Sequence, residues 1–142
     1  MRATIIYWSG TGNTAAMASA IAKGLQAAGA ETALMEVSGA QGDAVENAEL
    51  LVFGCPAMGA EVLEESEFEP FFQAVEGKLS GKKVALFGSY GWGDGQWMRD
   101  WEARVSRAGA HLLQGEGLIL QETPDSAGLE RCTAFGQALA AG

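Results

Sequence analysis

Short apolar runs separated by stretches of helical periodicity define the architecture expected of this chain. Ala3–Trp8 (ATIIYW), Leu50–Cys55 (LLVFGC) and Val84–Gly88 (VALFG) are each too short for a helix and lack strict alternation of apolar and polar positions. Such runs predict strands buried on both faces of a parallel sheet. Thr32–Val37 and Leu118–Gln121 read as two weaker strands. Over Asn13–Ala28, Met17, Ala20, Ile21, Gly24, Leu25 and Ala28 recur at three- and four-residue spacing, and Gly29 follows as a stop, which predicts a helix with one face on the sheet. Further helices are expected at Glu67–Val75, Gly95–Ala108 and Asp125–Ala140, the last started by Asp125 after Pro124, with a short helical turn near Val45. Trp97, Trp101 and Val105 follow four-residue spacing and are expected in the core.

Strand and helix alternate throughout, which predicts a three-layer α/β domain with right-handed crossovers. With 142 residues, no repeat and no linker, the expectation is one domain over 1–142. Sheets of this kind place ligands beyond the carboxyl ends of their strands, where strand order reverses. The segments that follow Trp8, Cys55 and Ser89 are therefore the ones to inspect.

Charge narrows the partners. The formal charge of −9 repels phosphodiester backbones and anionic lipid, so neither nucleic acid nor membrane is an expected partner. Cys55 and Cys132 lie far apart with no CxxC, and so offer neither a redox pair nor the thiolates of an iron–sulfur cluster; both are expected as buried thiols. No apolar stretch approaches the ~18 residues of a membrane-spanning helix, and a cytoplasmic location is the expectation.

The segment Ser9-Gly10-Thr11-Gly12-Asn13-Thr14 joins the first strand to the first helix. Its glycines permit a tight turn, and its hydroxyls, the Asn13 amide and the free helix-terminal N–H groups can all donate to a phosphate. No Lys or Arg occurs between Arg2 and Lys23, so any phosphate here is held by dipoles and hydrogen bonds. A helix cap with glycines for geometry is the plainer alternative. A P-loop is excluded, because Asn13-Thr14 follows Gly12 where a Lys and a Ser or Thr are required. Gly10-x-Gly12-x-x-Ala15, with Glu36 ending the second strand, meets a relaxed dinucleotide fingerprint, but the crowd of hydroxyls better suits a terminal phosphate. A phosphoacceptor receiver needs an Asp at the end of the third strand, where this chain has Gly54-Cys55-Pro56.

After the third strand comes Pro56-Ala57-Met58-Gly59-Ala60-Glu61, and after the fourth Ser89-Tyr90-Gly91-Trp92-Gly93-Asp94. Trp92 between two glycines has little local sequence to pack against, which points to a flat surface for a planar ligand, with Met58 as a soft opposing wall.

These loops together resemble the short-chain flavodoxins of anaerobic bacteria. The similarity rests on YWSGTGNT at 7–14, GCPAMG at 54–59, EESEFEPFF at 64–72 and GKKVALFGSYGWGDGQWMRDW at 81–101, with no long insertion in the last strand. It implies a flavodoxin-like fold, a five-stranded parallel sheet in order 2-1-3-4-5 with helices on both faces. It also implies non-covalent FMN, the phosphate in the Ser9–Thr14 loop, Trp92 on one face of the ring and Met58 against the other. Glu61 would accept the ring N3–H, and backbone groups of Ser89–Gly93 would meet the pyrimidine edge. The carbonyl of Gly59 would turn toward ring N5 once reduction protonates it. If that turn is Met58–Glu61, the turned form is type II and calls for φ > 0 at Ala60, where alanine costs about 1 kcal/mol.

The implied function is a low-potential one-electron carrier that shuttles between oxidoreductases and transforms no substrate with its side chains. A small FMN-dependent quinone or metal-ion reductase on the same fold is the alternative. Residues 24–77 hold eleven Asp or Glu and no Lys or Arg, and Glu61, Glu64, Glu65, Glu67 and Glu69 crowd one stretch. Like charge resists forming an anionic reduced ring and steers the chain toward basic patches on larger redox enzymes, although such runs also serve as plain solvated faces. Nothing in the sequence calls for more than a monomer.

Overall fold

In the computed structural model, residues 1–40 and 42–142 are described. The strands are β1 (Arg2–Tyr7), β2 (Glu31–Glu36), β3 (Leu50–Gly54), β4 (Lys83–Tyr90), β5 (His111–Leu112) and β6 (Leu118–Gln121). The helices are α1 (Asn13–Ala27), α2 (Gly42–Glu46), α3 (Phe68–Val75), α4 (Gln96–Arg107) and α5 (Ser126–Ala141). All strand pairs are parallel and the order is β2-β1-β3-β4-β5, with β6 also on β4. The edge position expected of one strand is shared by two. Lys83 and Val84 face β5 and Phe87–Tyr90 face β6, so the chain from Leu113 to Gly117 bulges past only Ala85 and Leu86 of β4. His111–Leu112 escaped the sequence reading because two residues carry no period.

Successive strand residues point to opposite faces, and this alternation builds two cores. Ile6, Leu51, Phe53, Val84 and Leu86 meet Val45, Phe68, Phe72, Trp97, Trp101 and Val105 of α2, α3 and α4. Ala3, Ile5, Leu50, Val52, Ala85 and Phe87 meet Met17, Ile21, Leu25, Cys132 and Leu139 of α1 and α5. The expected tryptophan stripe is buried, with Trp101 edge-on to Phe68 and Phe72. Both cysteines are buried free thiols, and burial pushes the Cys55 thiol up to about 12. On α1 the predicted face is buried through Leu25, but Ala28 lies past the helix end and is exposed. Helices α1 and α5 cross closely because Gly24 and Gly136 have no side chain; a Cβ on either would collide with the other helix's backbone.

The acid run 61–69 is largely structural. The Glu64 carboxylate accepts from the backbone N–H groups of Ser66, Glu67 and Phe68 at 2.9, 2.8 and 2.9 Å, and from the Ser66 hydroxyl, satisfying the open donors at the start of α3. Burial pushes its pKa up, but hydrogen bonds to the ionised form outweigh that and hold it at about 2. Glu69 and Glu76 grip Arg104 of α4, Glu69 through a two-pronged contact at 2.7 Å and Glu76 at 3.0 Å. The Arg104 guanidinium also lies 4.8 Å from the Phe72 ring centre. Of the five acids, Glu65 alone makes no side-chain hydrogen bond among the described residues.

Two stability predictions follow from this arrangement. Glu64→Ala is expected to lower unfolding stability by about 1–2 kcal/mol, because it leaves the donors at the start of α3, the buried Phe68 N–H among them, without their acceptor. Since the folded-state pKa is depressed, this contribution is complete above the ordinary value of 4.5 and is lost as pH falls through about 2. Urea unfolding at pH 7 and pH 2.5 measures both, and the variant should differ less from wild type at the lower pH. Arg104→Lys is expected to cost about 1–2 kcal/mol, since a lysine keeps the charge but loses the planar fork that holds two carboxylates. An unchanged melting temperature would show the network to be idle.

Candidate functional site

The carboxyl ends of β1, β3 and β4 are held level by backbone bonds that continue past the strands: Trp8 N–H to Gly54 O (3.0 Å), Cys55 N–H to Phe87 O (3.1 Å) and Ala57 N–H to Ser89 O (3.0 Å). Strand order reverses between β1 and β3, and ligand sites of open α/β sheets lie at that point. The loops after β1, β3, β4 and β6 therefore converge on one cleft. It measures about 290 Å³ and is lined by Trp8, Ser9, Gly10, Thr11, Asn13, Thr14, Pro56, Ala57, Met58, Ser89, Tyr90, Gly91 and Glu122. A larger groove of about 490 Å³ between α1 and α5 lies away from these strand ends and is lined by outward helix residues. Convergent donors, not size, single out the cleft.

The first loop is shaped by its own side chains. Gly12 caps α1 with φ 95°, a left-handed conformation that a Cβ would strain. Ser9 Oγ accepts from the N–H groups of Gly12 (3.1 Å) and Ala15 (3.3 Å) and so fixes the turn from inside. The backbone N–H groups of Gly10, Thr11, Asn13 and Thr14 make no hydrogen bond among the described residues. Those open donors at a helix start form an anion cradle. Thr14 Oγ1 and Ser89 Oγ lie 2.9 Å apart in a buried pair that spans the end of β3. If Ser89 donates, the Thr14 proton is free to point into the cradle. No Lys or Arg lines the cleft, as the sequence indicated.

The second loop closes differently from the expected turn. Met58 and Val62 exchange backbone hydrogen bonds of 2.9 and 3.1 Å, so the loop spans five residues and its left-handed positions are Gly59 (φ 46°) and Glu61 (φ 57°). Ala60 has no positive φ in this conformation, and the strain expected at it belongs to the turned form of the loop. The Glu61 carboxylate accepts from the Gln96 N–H at 3.2 Å, where α4 begins, and a Cβ on Gly93 would come within 2.6 Å of it. Glu61 thus ties the second loop to the third.

Trp92 is 65% exposed, a large aromatic surface left in solvent immediately after the cleft residue Gly91. Its loop is anchored by Arg99, which bonds the Asp94 carbonyl and carboxylate at 3.0 Å each, and by Gln121 Nε2 to Gly91 O at 3.3 Å.

The structure brings most of the sequence-selected residues to the cleft wall. Gly12, Gly59, Ala60, Glu61, Trp92 and Gly93 lie in the same three loops without lining it. Two wall residues were missed. Trp8, read as the end of the first strand, lies beyond it, and its indole N–H donates to Glu67 Oε1 at 3.1 Å. Glu122 follows β6, and inspecting every strand's carboxyl end would have found it. No helix is long and apolar enough to cross a membrane, and no group of three or more His, Cys, Asp or Glu that could hold a metal occurs among the described residues.

Comparison with known proteins agrees with the loops. A family model described as flavodoxin matches residues 5–136. A flavodoxin of Clostridium beijerinckii is 52% identical over 96% of this chain and 97% of its own length. A flavodoxin of Megasphaera elsdenii is 46% identical over 96% of each chain. The solution structure of the two-electron reduced Megasphaera elsdenii flavodoxin superposes with a TM-score of 0.90 at 45% identity, covering 99% of both chains. A shared fold, near-complete coverage and near-half identity leave one assignment: the chain belongs to the flavodoxin family.

Proposed function

We propose that this flavodoxin carries electrons one at a time, at low potential, between larger oxidoreductases, with FMN held in the cleft at the carboxyl edge of the sheet. The observation that carries this reading is the donor set: a cradle of open N–H groups and hydroxyls without a cation, beside a shallow wall and an exposed indole. A phosphate needs the first and a planar ring the second, and FMN offers both. When bound, FMN supplies the electron-accepting ring that side chains lack.

The chain's own groups then have distinct parts. Open N–H groups at Gly10, Thr11, Asn13 and Thr14, with the Thr14 hydroxyl oriented by Ser89, would hold the phosphate. Pro56, Ala57 and Met58 would exclude water from one side of the ring and Trp92 from the other. Glu61, already pinned to the start of α4, would present its second carboxylate oxygen to a ring N–H. Ser9 would act from behind, keeping the turn in shape. The excess of acids would disfavour negative charge on the ring and attract basic docking patches in brief encounters.

Two tests bear on this reading. Electron flow from an NAD(P)H-oxidising flavoenzyme to a haem acceptor should require this chain as intermediary, and steady NAD(P)H oxidation by the chain alone would favour a reductase instead. The rate of that relay should fall several-fold as ionic strength rises from about 0.01 to 0.5 M, because screening removes the attraction between surface charges. A rate indifferent to salt would show that the acid surface plays no part in docking.

A further inference from the structure

An acceptor at the N-cap of a helix ordinarily bonds the second or third N–H of that helix, but Glu67, at the N-cap of α3, makes no such bond. Neither donor is open to it: the Glu69 N–H already donates to Glu64 O at 2.9 Å, and Pro70 has no N–H. The side chain reaches outward instead. Glu67 Oε1 accepts from the Trp8 indole N–H at 3.1 Å, while the Glu67 N–H donates to Glu64 Oε1 at 2.8 Å, so the acceptor stands on a fixed root. The far end of the same indole lies against the phosphate loop. A Cβ on Gly10 would come within 2.9 Å of Trp8 Cη2 and 3.3 Å of Cζ3, although Gly10 has no left-handed φ that calls for glycine. The tryptophan ring, not the backbone, requires glycine there. Trp8 and Gly10 both line the cleft, and the Gly10 N–H is one of the open donors of the cradle.

We propose that Glu67 is a positioning residue for the phosphate of FMN: its hydrogen bond pins the Trp8 indole as a strut between α3 and the first loop, and the strut keeps the Gly10 N–H in line with the other open donors. The inference rests on the FMN reading above. A cradle made of dipoles works only where its donors converge, and no Lys or Arg lines the cleft to draw in a phosphate that they meet badly. Released from Glu67, the indole is free to swing and Gly10 to follow it. The loss then falls on the phosphate end of the ligand, and a flavin without phosphate does not sense it.

The test titrates flavin-stripped chains with FMN and with riboflavin and follows flavin fluorescence. Glu67→Ala is expected to bind FMN about three- to tenfold more weakly, with riboflavin within about twofold of wild type. Glu67→Gln, whose amide oxygen accepts the same bond, is expected to keep the ratio of the two affinities within about twofold of wild type. Gly10→Ala gives a second reading. With Trp8 pinned, the added methyl forces the loop aside and should weaken FMN by about tenfold. When Gly10→Ala is combined with Glu67→Ala, the released ring gives way, so the joint loss should fall short of the product of the two single losses. A wild-type affinity ratio in Glu67→Ala, equal losses for both flavins, a Glu67→Gln chain as impaired as Glu67→Ala, or losses that simply multiply would each overturn the inference. Failure of the wild-type chain to bind FMN would instead overturn the functional reading, and with it this inference.

Discussion

Thr14→Val is expected to weaken FMN binding by about 10- to 100-fold while leaving riboflavin binding nearly unchanged. Valine matches threonine in shape, so the buried site at the start of α1 is not emptied. What is lost is the hydroxyl that pairs with Ser89 Oγ at 2.9 Å and, through that pairing, can direct its proton into the cradle. A hydrogen bond to a charged group contributes about 1.5–3 kcal/mol, and here no Lys or Arg is present to make up the loss. Riboflavin lacks the phosphate and should not sense the change. Parallel fluorescence titrations with the two flavins measure the contrast. Equal losses for both would mean that Thr14 supports the loop rather than the ligand.

Trp92→Ala is expected to produce the complementary pattern, weakening FMN and riboflavin alike by about 10- to 100-fold. An indole stacked on a flat heterocycle contributes roughly 1–3 kcal/mol, and this one is 65% exposed, so truncating it disturbs little packing. The melting temperature of the flavin-free chain should therefore hardly move. The loss should also be additive with that of Thr14→Val, since one residue would meet the phosphate end and the other the ring. Strong non-additivity would indicate that the loops rearrange together.

The architecture was legible where chemistry is periodic. Unalternating runs such as LLVFG declared strands covered on both faces, and the Trp97–Trp101–Val105 spacing declared a buried helix face. The phosphate cradle was legible for another reason: Gly, Ser, Thr and Asn between a strand and a helix leave few other uses for so many donors. What escaped depends on non-local pairing. The two-residue β5 exists only because Lys83 and Val84 offer an edge. The left-handed positions at Glu61 and Glu122 are set by the Met58–Val62 bridge and the Tyr90 carbonyl, which no propensity encodes. The acid run shows the limit most clearly. Read along the chain it is a block of charge, yet in space Glu64 caps α3, Glu69 clamps Arg104, Glu67 holds Trp8 and Glu61 meets α4.

That redistribution also moderates the electrostatic argument. Steering toward basic partners, as proposed, would rest on the overall charge of −9, of which the hydrogen-bonded carboxylates in 61–69 remain part. Single substitutions within 61–69 should thus alter folding or loop position more than encounter rate.

Titration of FMN with the flavin-stripped chain, followed by loss of flavin fluorescence and repeated with riboflavin, tests whether the cleft holds FMN by its phosphate. Quenching is expected to saturate at one FMN per chain, with riboflavin bound at least tenfold more weakly. Undiminished fluorescence, or equal affinity for the two flavins, would contradict a cleft built around a phosphate cradle.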